Sequence, residues 1–421
     1  MNTFLSKNTA EGKILIPGSK SQTIRAMLIA TFAFNKSIIH NTLISEDTSS
    51  CIQACRLLGA IITSIGDTYY IDSSKVGENK APIEINCGNS GTSLYLLLGL
   101  CASLETQITF TGDEQLKRRP IGALLDAYRD FGCTVSNSNY PPFTIKGPMK
   151  GGKTTIDCPT SQYLSSLLLA APLCKNNVEI IAPILYEKPY VNLTIGWMDK
   201  QKIEYTSSEN LQHFKVKGNQ KYKGFEDTIA GDFSSATFFF CMAAICKSTI
   251  TVAGLNKDDI QGDKHTLDIL QQMGCIVSWK DDEVTITGPQ ELKGGIYSLN
   301  AMPDSLPALS ITAAYSKQKT IFNDTPQARL KETDRISVMA TNLTMLGVKV
   351  QELEDGIIIE GNGKVAGGCT VSGFDDHRII MAMAIAALGA DKPINIEGCD
   401  AVSVTFPKFF ELYNSLSKNN K

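Results

Sequence analysis

A chain of 421 residues is longer than one domain ordinarily is, and it predicts two or three. Apolar residues make up 43% and charged residues 20%, and 40 Lys plus Arg stand against 43 Asp plus Glu, for a net charge of −3. No apolar run reaches the roughly 18 residues of a membrane helix and there is no basic surplus, so the composition excludes a membrane span and a nucleic-acid partner and makes any anion site a local cluster.

The first residues, Met1 to Lys13, lack the charged and apolar segments of a secretion signal, which predicts a cytoplasmic protein. A strand reading GKILIPG, Gly12 to Gly18, follows. It runs through Ser19, Lys20, Ser21 and Arg25 into the helix RAMLIATFAF. Hydroxyls, amides and two cations at a helix start suit a carboxylate or phosphate, and suit a capped helix equally well. The next loop, Cys87 to Ser93 with Asn89 and Gly91, enters the helix LYLLLGLCA and reads as close backbone approach to a ligand or as a tight turn. Lys117, Arg118 and Arg119 precede a Pro-led helix start, where a charge run ordinarily faces water. Thr160, Ser161 and Gln162, and later Gly231 to Ala236, open apolar helices and read singly as caps.

The second half carries the strongest signal. Lys331-Glu332-Thr333-Asp334-Arg335 and Asp376-His377-Arg378 each open a helix, and Arg335 and Arg378 there oppose the helix dipole unless an anion is present. Twelve cysteines lie scattered in apolar contexts and read as buried thiols; with only four His, no metal-binding set is available.

Between these loops one pattern recurs: a helix, a Gly, a short strand, a polar turn and a second strand. It surrounds Gly59, Gly132, Gly274 and Gly347, and a copy without the Gly lies near Gln201. The copies fall about 72 residues apart, as in an internal repeat, and each Gly stands where a helix end favours a left-handed residue. A sixth helix, Pro407 to Leu416, arrives on that spacing with no hairpin after it. Three units per domain predict an N-terminal domain of residues 19–230 and a C-terminal domain of residues 1–18 plus 231–421, completed by the N-terminal strand. Crossings near Gly18 and Gly231 would make a hinge, with a cleft for a polyanionic ligand.

Nine segments in register extend this reading: PGSKSQTIRAMLIA, GNSGTS, RRPIGALLDAYRDFG, TSQYLSSLLLAAPL, KPYVNLT, GDFSSATFF, RLKETDR, DDHRIIMAMAIAAL and TFPKFF. In order and spacing they resemble the 5-enolpyruvylshikimate 3-phosphate synthases, or 3-phosphoshikimate 1-carboxyvinyltransferases, over nearly the whole chain. The resemblance implies an α/β fold, a two-domain inside-out α/β barrel of the enolpyruvyl transferase kind, with six βαβαββ repeats, three per domain. It implies a monomer that needs no metal or organic cofactor. Its substrates would be phosphoenolpyruvate and shikimate 3-phosphate, on the pathway to chorismate and the aromatic amino acids, with glyphosate as the family's inhibitor.

Carried over by position, Lys20, Ser21, Arg25, Thr160, Ser161, Gln162, Tyr190, Asp304, Gln327 and Lys331 match binders of shikimate 3-phosphate. Lys20, Asn89, Gly91, Arg119, Gln162, Arg335 and Arg378 match binders of phosphoenolpyruvate. Asp304 and Glu332 match the proton handlers, with Lys20 assisting. The chain departs from the family pattern at Tyr95 (commonly Arg), Glu187 (Ser), Gln327 (Asn) and Val404 (often Lys), and each departure weakens an implied contact. Two rivals remain. Enolpyruvyl transfer to UDP-N-acetylglucosamine is disfavoured because Glu114 stands where that sister family has a Cys; the other rival, motivated by the departures, is a catalytically decayed relative that binds anions as a regulator.

Overall fold

The computed structural model describes residues 2–418. They form two compact units, Gly18–Ile229 and Met1–Pro17 with Ala230–Lys421.

Within Gly18–Ile229 the helices are α1 (Lys20–Thr31), α2 (Glu46–Leu57), α3 (Gly91–Cys101), α4 (Gly122–Asp130), α5 (Ser161–Ala170) and α6 (Lys188–Lys200). Every residue of α3 and all of α5 but Gln162 are buried, as expected of helices that are apolar all round. Three four-stranded sheets accompany them, each a parallel pair extended by an antiparallel hairpin. The parallel pairs are Glu226–Thr228 with Lys36–His40, Ile83–Asn86 with Gln107–Thr111, and Gly152–Thr155 with Val178–Ile181. Alternate strand residues are buried on the helix side, as in Lys36–His40 and Phe143–Lys146. Helices inside and half-buried sheets outside make up the inside-out layering that the family resemblance implied.

The other unit repeats this plan with α7 (Phe233–Cys246), α8 (Thr266–Gln272), α9 (Leu306–Ala314), α10 (Arg335–Met345), α11 (His377–Ala387) and α12 (Phe409–Leu416). Helices α7, α9 and α11 pack on one another at its centre. Here the N-terminal segment supplies more than the single strand expected from the sequence. Gly12–Leu15 pairs in parallel with Thr249–Ala253 as the edge of the first sheet of this unit. The last sheet is finished by Thr3–Leu5, antiparallel to Ile394–Glu397 with Thr3 opposite Ile396. Three residues are too short a run to show periodicity, which is why the sequence left that sheet open.

The repeated helix end has one geometry. Gly59, Gly132, Gly274 and Gly347 all have positive φ, and the next residue donates its amide five residues back: Ala60 to Cys55, Cys133 to Tyr128, Cys275 to Leu270 and Val348 to Leu343. This is a Schellman closure, and each of these residues after the Gly is buried, fixing where the following strand begins. In the copy without Gly, Lys202 takes the left-handed conformation at φ 55°, and Ile203 donates to Met198. All twelve cysteines are free thiols, ten of them buried. Among the described residues no helix is long and apolar enough to cross a membrane, and no cluster of His, Cys, Asp or Glu has the makings of a metal site.

Candidate active site

In Gly18–Ile229 the polar residues gather at helix N-termini. Ser19, the N-cap of α1, makes no side-chain cap bond. In the first turn Lys20 Nζ donates to Asp47 Oδ2 at 2.8 Å. One turn on, Arg25 is 1% exposed, and its three bonds go to neutral acceptors: Thr194 Oγ1 at 3.0 Å, the Ser21 carbonyl at 3.0 Å and the Tyr190 carbonyl at 3.1 Å. Burial pulls its pKa down to about 10, with Tyr190 acting in the opposite sense. A buried guanidinium bonded to neutral oxygens favours an added carboxylate.

Helix α3 is capped by Ser90, whose Oγ accepts from Ser93 N, and the loop before it holds Asn89 with its side-chain amide on Asp113 and Gln115. A Cβ at Gly91 would lie 2.4 Å from Arg119 Nη1, so a side chain there would move that guanidinium. Gln162 Nε2 donates to Thr92 Oγ1 at 3.1 Å, tying the start of α5 to that of α3. Tyr95 and Tyr163 both donate to the Pro120 carbonyl, anchoring the loop that carries Arg119; burial pushes the Tyr95 phenol up to about 12. Thr160 caps α5, and Ser161 Oγ donates to Glu187 Oε2 at 2.7 Å. The predicted residues thus fall into several local groups: Arg25 with the Ser21 and Tyr190 carbonyls, Thr160 and Ser161 on Glu187, Gln162 on Thr92, and Lys20 on Asp47.

The second unit holds a tighter cluster. Arg335, 1% exposed at the first position of α10, donates Nε to Asp376 Oδ2 at 2.8 Å and Nη2 to Asp376 Oδ1 at 3.2 Å. Its Nη1 reaches Asp304 Oδ1 at 2.8 Å and its Nη2 reaches Glu332 Oε2 at 2.6 Å. Arg378 Nη2 lies 3.0 Å from Asp304 Oδ2, and Lys331 Nζ 3.7 Å from Asp304 Oδ1. Asp376 also caps α11, accepting from Arg378 N at 2.8 Å. The anion that the two arginines called for is therefore present within the chain as three carboxylates. Burial raises the Asp304 pKa, but Arg378, Lys331 and Arg335 outweigh it and hold that carboxyl well below the usual range. Arg335 loses proton affinity to burial and regains more from Asp376, Glu332 and Asp304, so it stays charged.

Gln327 is buried on the short helix before Lys331, with Nε2 on the Asn300 carbonyl at 3.1 Å. Val404 ends the short helix Cys399–Val404, and Lys408 is exposed at the start of α12. Three contributors escaped the sequence reading: Asp47, Thr194 and Asp376 as the partner of Arg335. Asp47 looks like a dipole-favoured acid in the first turn of α2, and Thr194 is 169 residues from Arg25, so neither carries a local signal. Asp376 was visible only as part of its triplet.

The family model described as EPSP synthase (3-phosphoshikimate 1-carboxyvinyltransferase) matches residues 6–412. A 3-phosphoshikimate 1-carboxyvinyltransferase of Ruminiclostridium cellulolyticum is 41% identical over 414 residues, covering 98% of this chain and 97% of the relative. One from Acetivibrio thermocellus is 42% identical over 407 residues, covering 96% and 95%. Among solved structures, EPSP synthase from Acinetobacter baumannii superposes with a TM-score of 0.82 at 27% identity, covering 99% of this chain and 98% of that one. The enolpyruvyl transferase NikO from Streptomyces tendae shares the fold, with a TM-score of 0.80 at 17% identity over 99% and 97%.

Proposed function

The chain belongs to the EPSP synthase family, and from that premise we infer that it transfers the enolpyruvyl group of phosphoenolpyruvate to the 5-hydroxyl of shikimate 3-phosphate, releasing phosphate. The observation that carries the chemistry is a single guanidinium, Arg335, holding two carboxylates, Asp304 and Glu332, at 2.8 and 2.6 Å. The reaction needs a proton delivered to the methylene carbon of phosphoenolpyruvate and one removed from the attacking hydroxyl, after which C2 loses phosphate and the methyl group loses a proton. In this reading Asp304 takes the hydroxyl proton, and Glu332, with Lys20 assisting, delivers and removes the methyl proton.

Arg119, Arg335 and Arg378, with Gln162, Asn89 and Gly91, bind phosphoenolpyruvate. Arg25 and Ser21 take the carboxylate of shikimate 3-phosphate; Thr160, Ser161, Tyr190, Gln327 and Lys331 serve its phosphate and ring. Asp304 starts the cycle ionised. As substrate anions engage Arg335, Arg378 and Lys331, their hold on Asp304 weakens and its proton affinity rises when a base is required.

The test is phosphate release from phosphoenolpyruvate in the presence of shikimate 3-phosphate, with UDP-N-acetylglucosamine as the alternative acceptor. Turnover with the first and not the second is expected. Comparable turnover of the UDP-sugar, or binding of phosphoenolpyruvate without turnover of either, would overturn the assignment.

A further inference from the structure

Glu187 combines burial, charge and an unusual backbone. It is 1% exposed and lies at φ 55°, ψ 42°, a left-handed conformation that residues with a Cβ seldom adopt. Although it stands at the N-cap position of α6, its side chain makes no cap bond there. The carboxylate reaches instead to the start of α5, where Oε2 accepts from Ser161 Oγ at 2.7 Å, Ser161 N at 3.2 Å and Thr160 Oγ1 at 3.4 Å. Helix α5 already has its own cap, because Thr160 Oγ1 accepts from Gln162 N. The Ser161 amide and hydroxyl are thus donors beyond that cap. They form an anion seat at a helix N-terminus, and an anion of the chain itself fills it.

We propose that Glu187 is a built-in occupant of the seat for the acceptor's phosphate, and that it sets how strongly this enzyme requires a 3-phosphate on its acceptor. The inference rests on the reading above, in which Thr160, Ser161 and Tyr190 face that phosphate. Each of the three donors has one hydrogen to give, and a carboxylate and a phosphate dianion sharing them would repel. Shikimate 3-phosphate therefore binds by displacing Glu187, and some of the phosphate's attraction is offset by that exchange. Shikimate, with a bare 3-hydroxyl, leaves Glu187 seated and can donate to it. The native residue narrows the advantage of the phosphorylated acceptor over the plain one.

The experiment compares the full-length wild type with Glu187→Ser, which empties the seat and leaves a hydroxyl, and Glu187→Gln, which keeps the size and removes the charge. Calorimetric titration of Glu187→Ser with shikimate 3-phosphate is expected to give binding at least about tenfold tighter, the scale of one charge-assisted hydrogen bond. Its preference for shikimate 3-phosphate over shikimate rises by a similar factor, the KM for phosphoenolpyruvate stays within about twofold, and Glu187→Gln falls between the two proteins. Unchanged or weaker binding of shikimate 3-phosphate by a Glu187→Ser chain that melts near the wild-type temperature would overturn the proposal and make Glu187 a staple between α5 and α6. Should Glu187→Ser fail to fold, Glu187→Gln carries the same criterion. Tightened binding without turnover would sustain this inference and overturn only the reaction. Absence of binding by all three proteins would remove the acceptor, and the inference with it.

Discussion

Arg335 makes four hydrogen bonds to three carboxylates, so deleting it leaves Asp304, Glu332 and Asp376 crowded together in a buried site. Removing one partner of such a group costs about 3–5 kcal/mol, and Arg335→Met is expected to lower the melting temperature by roughly 10 °C, read by calorimetry. An unshifted melt would mean that the carboxylates rearrange without cost. Asp304 makes a pH prediction. Its folded-state pKa lies below the ordinary value of 3.8, so its ionised form adds stability that is present above about pH 4 and is lost as the pH falls towards the folded value. Asp304→Asn should be less stable at pH 7 and decline less steeply in acid, which urea unfolding across pH 2–7 would register. Turnover should fall by roughly a hundredfold or more in Asp304→Asn and in Glu332→Gln, with binding of shikimate 3-phosphate little changed. Near wild-type turnover in either variant would remove that residue from proton transfer. At this scale the sequence went a long way: arginines opposing a helix dipole are visible in one dimension. It could not show that the compensating charges lie 31 and 41 residues away in the chain.

The recurring helix end can be tested position by position. Gly59 has φ 110°, and a Cβ there would meet the Lys75 carbonyl oxygen at 2.7 Å. Gly59→Ala should therefore cost more than about 1 kcal/mol, from backbone strain together with that clash. The opposite sign is expected at Lys202, which holds a similar conformation with a full side chain: Lys202→Gly should stabilise by about 1 kcal/mol. Urea unfolding of the two variants followed by circular dichroism decides both, and a destabilised Lys202→Gly would show that chain entropy outweighs the relief of strain. The helix-Gly-hairpin copies could be read from the sequence because a Schellman closure and an alternating hairpin are local, set by residues within a few positions of each other. The partners of the parallel edge strands could not. Glu226–Thr228 pairs with Lys36–His40 across most of its unit, and nothing near either segment announces the partner.

At the level of the molecule, the two units differ in how the chain supplies them. Gly18–Ile229 is continuous and contains every strand of its three sheets, so the isolated fragment 18–229 is expected to fold alone, with a cooperative melt. The fragment 230–421 lacks Gly12–Leu15 and Thr3–Leu5, and with them the edges of two sheets and the cover over part of the core beside Ile14 and Ile16. It should unfold at markedly lower temperature or aggregate, and a synthetic peptide of residues 2–17 added in trans should restore the melt. A fragment 230–421 as stable without the peptide as with it would show those strands to be dispensable.

That division also sets a clock on biosynthesis. A ribosome adding about 5–20 residues per second can release Gly18–Ile229 to fold before the rest of the other unit is made. Thr3–Leu5 leaves the tunnel long before its partner Ile394–Glu397 is made, so this strand waits roughly 20–80 seconds for the edge it will cover. During that interval Leu5, which in the finished fold packs on the core of its unit, hangs on the nascent chain. A cell that slows elongation between the two paired strands prolongs the period in which a chaperone, or another nascent chain, can capture Thr3–Leu5.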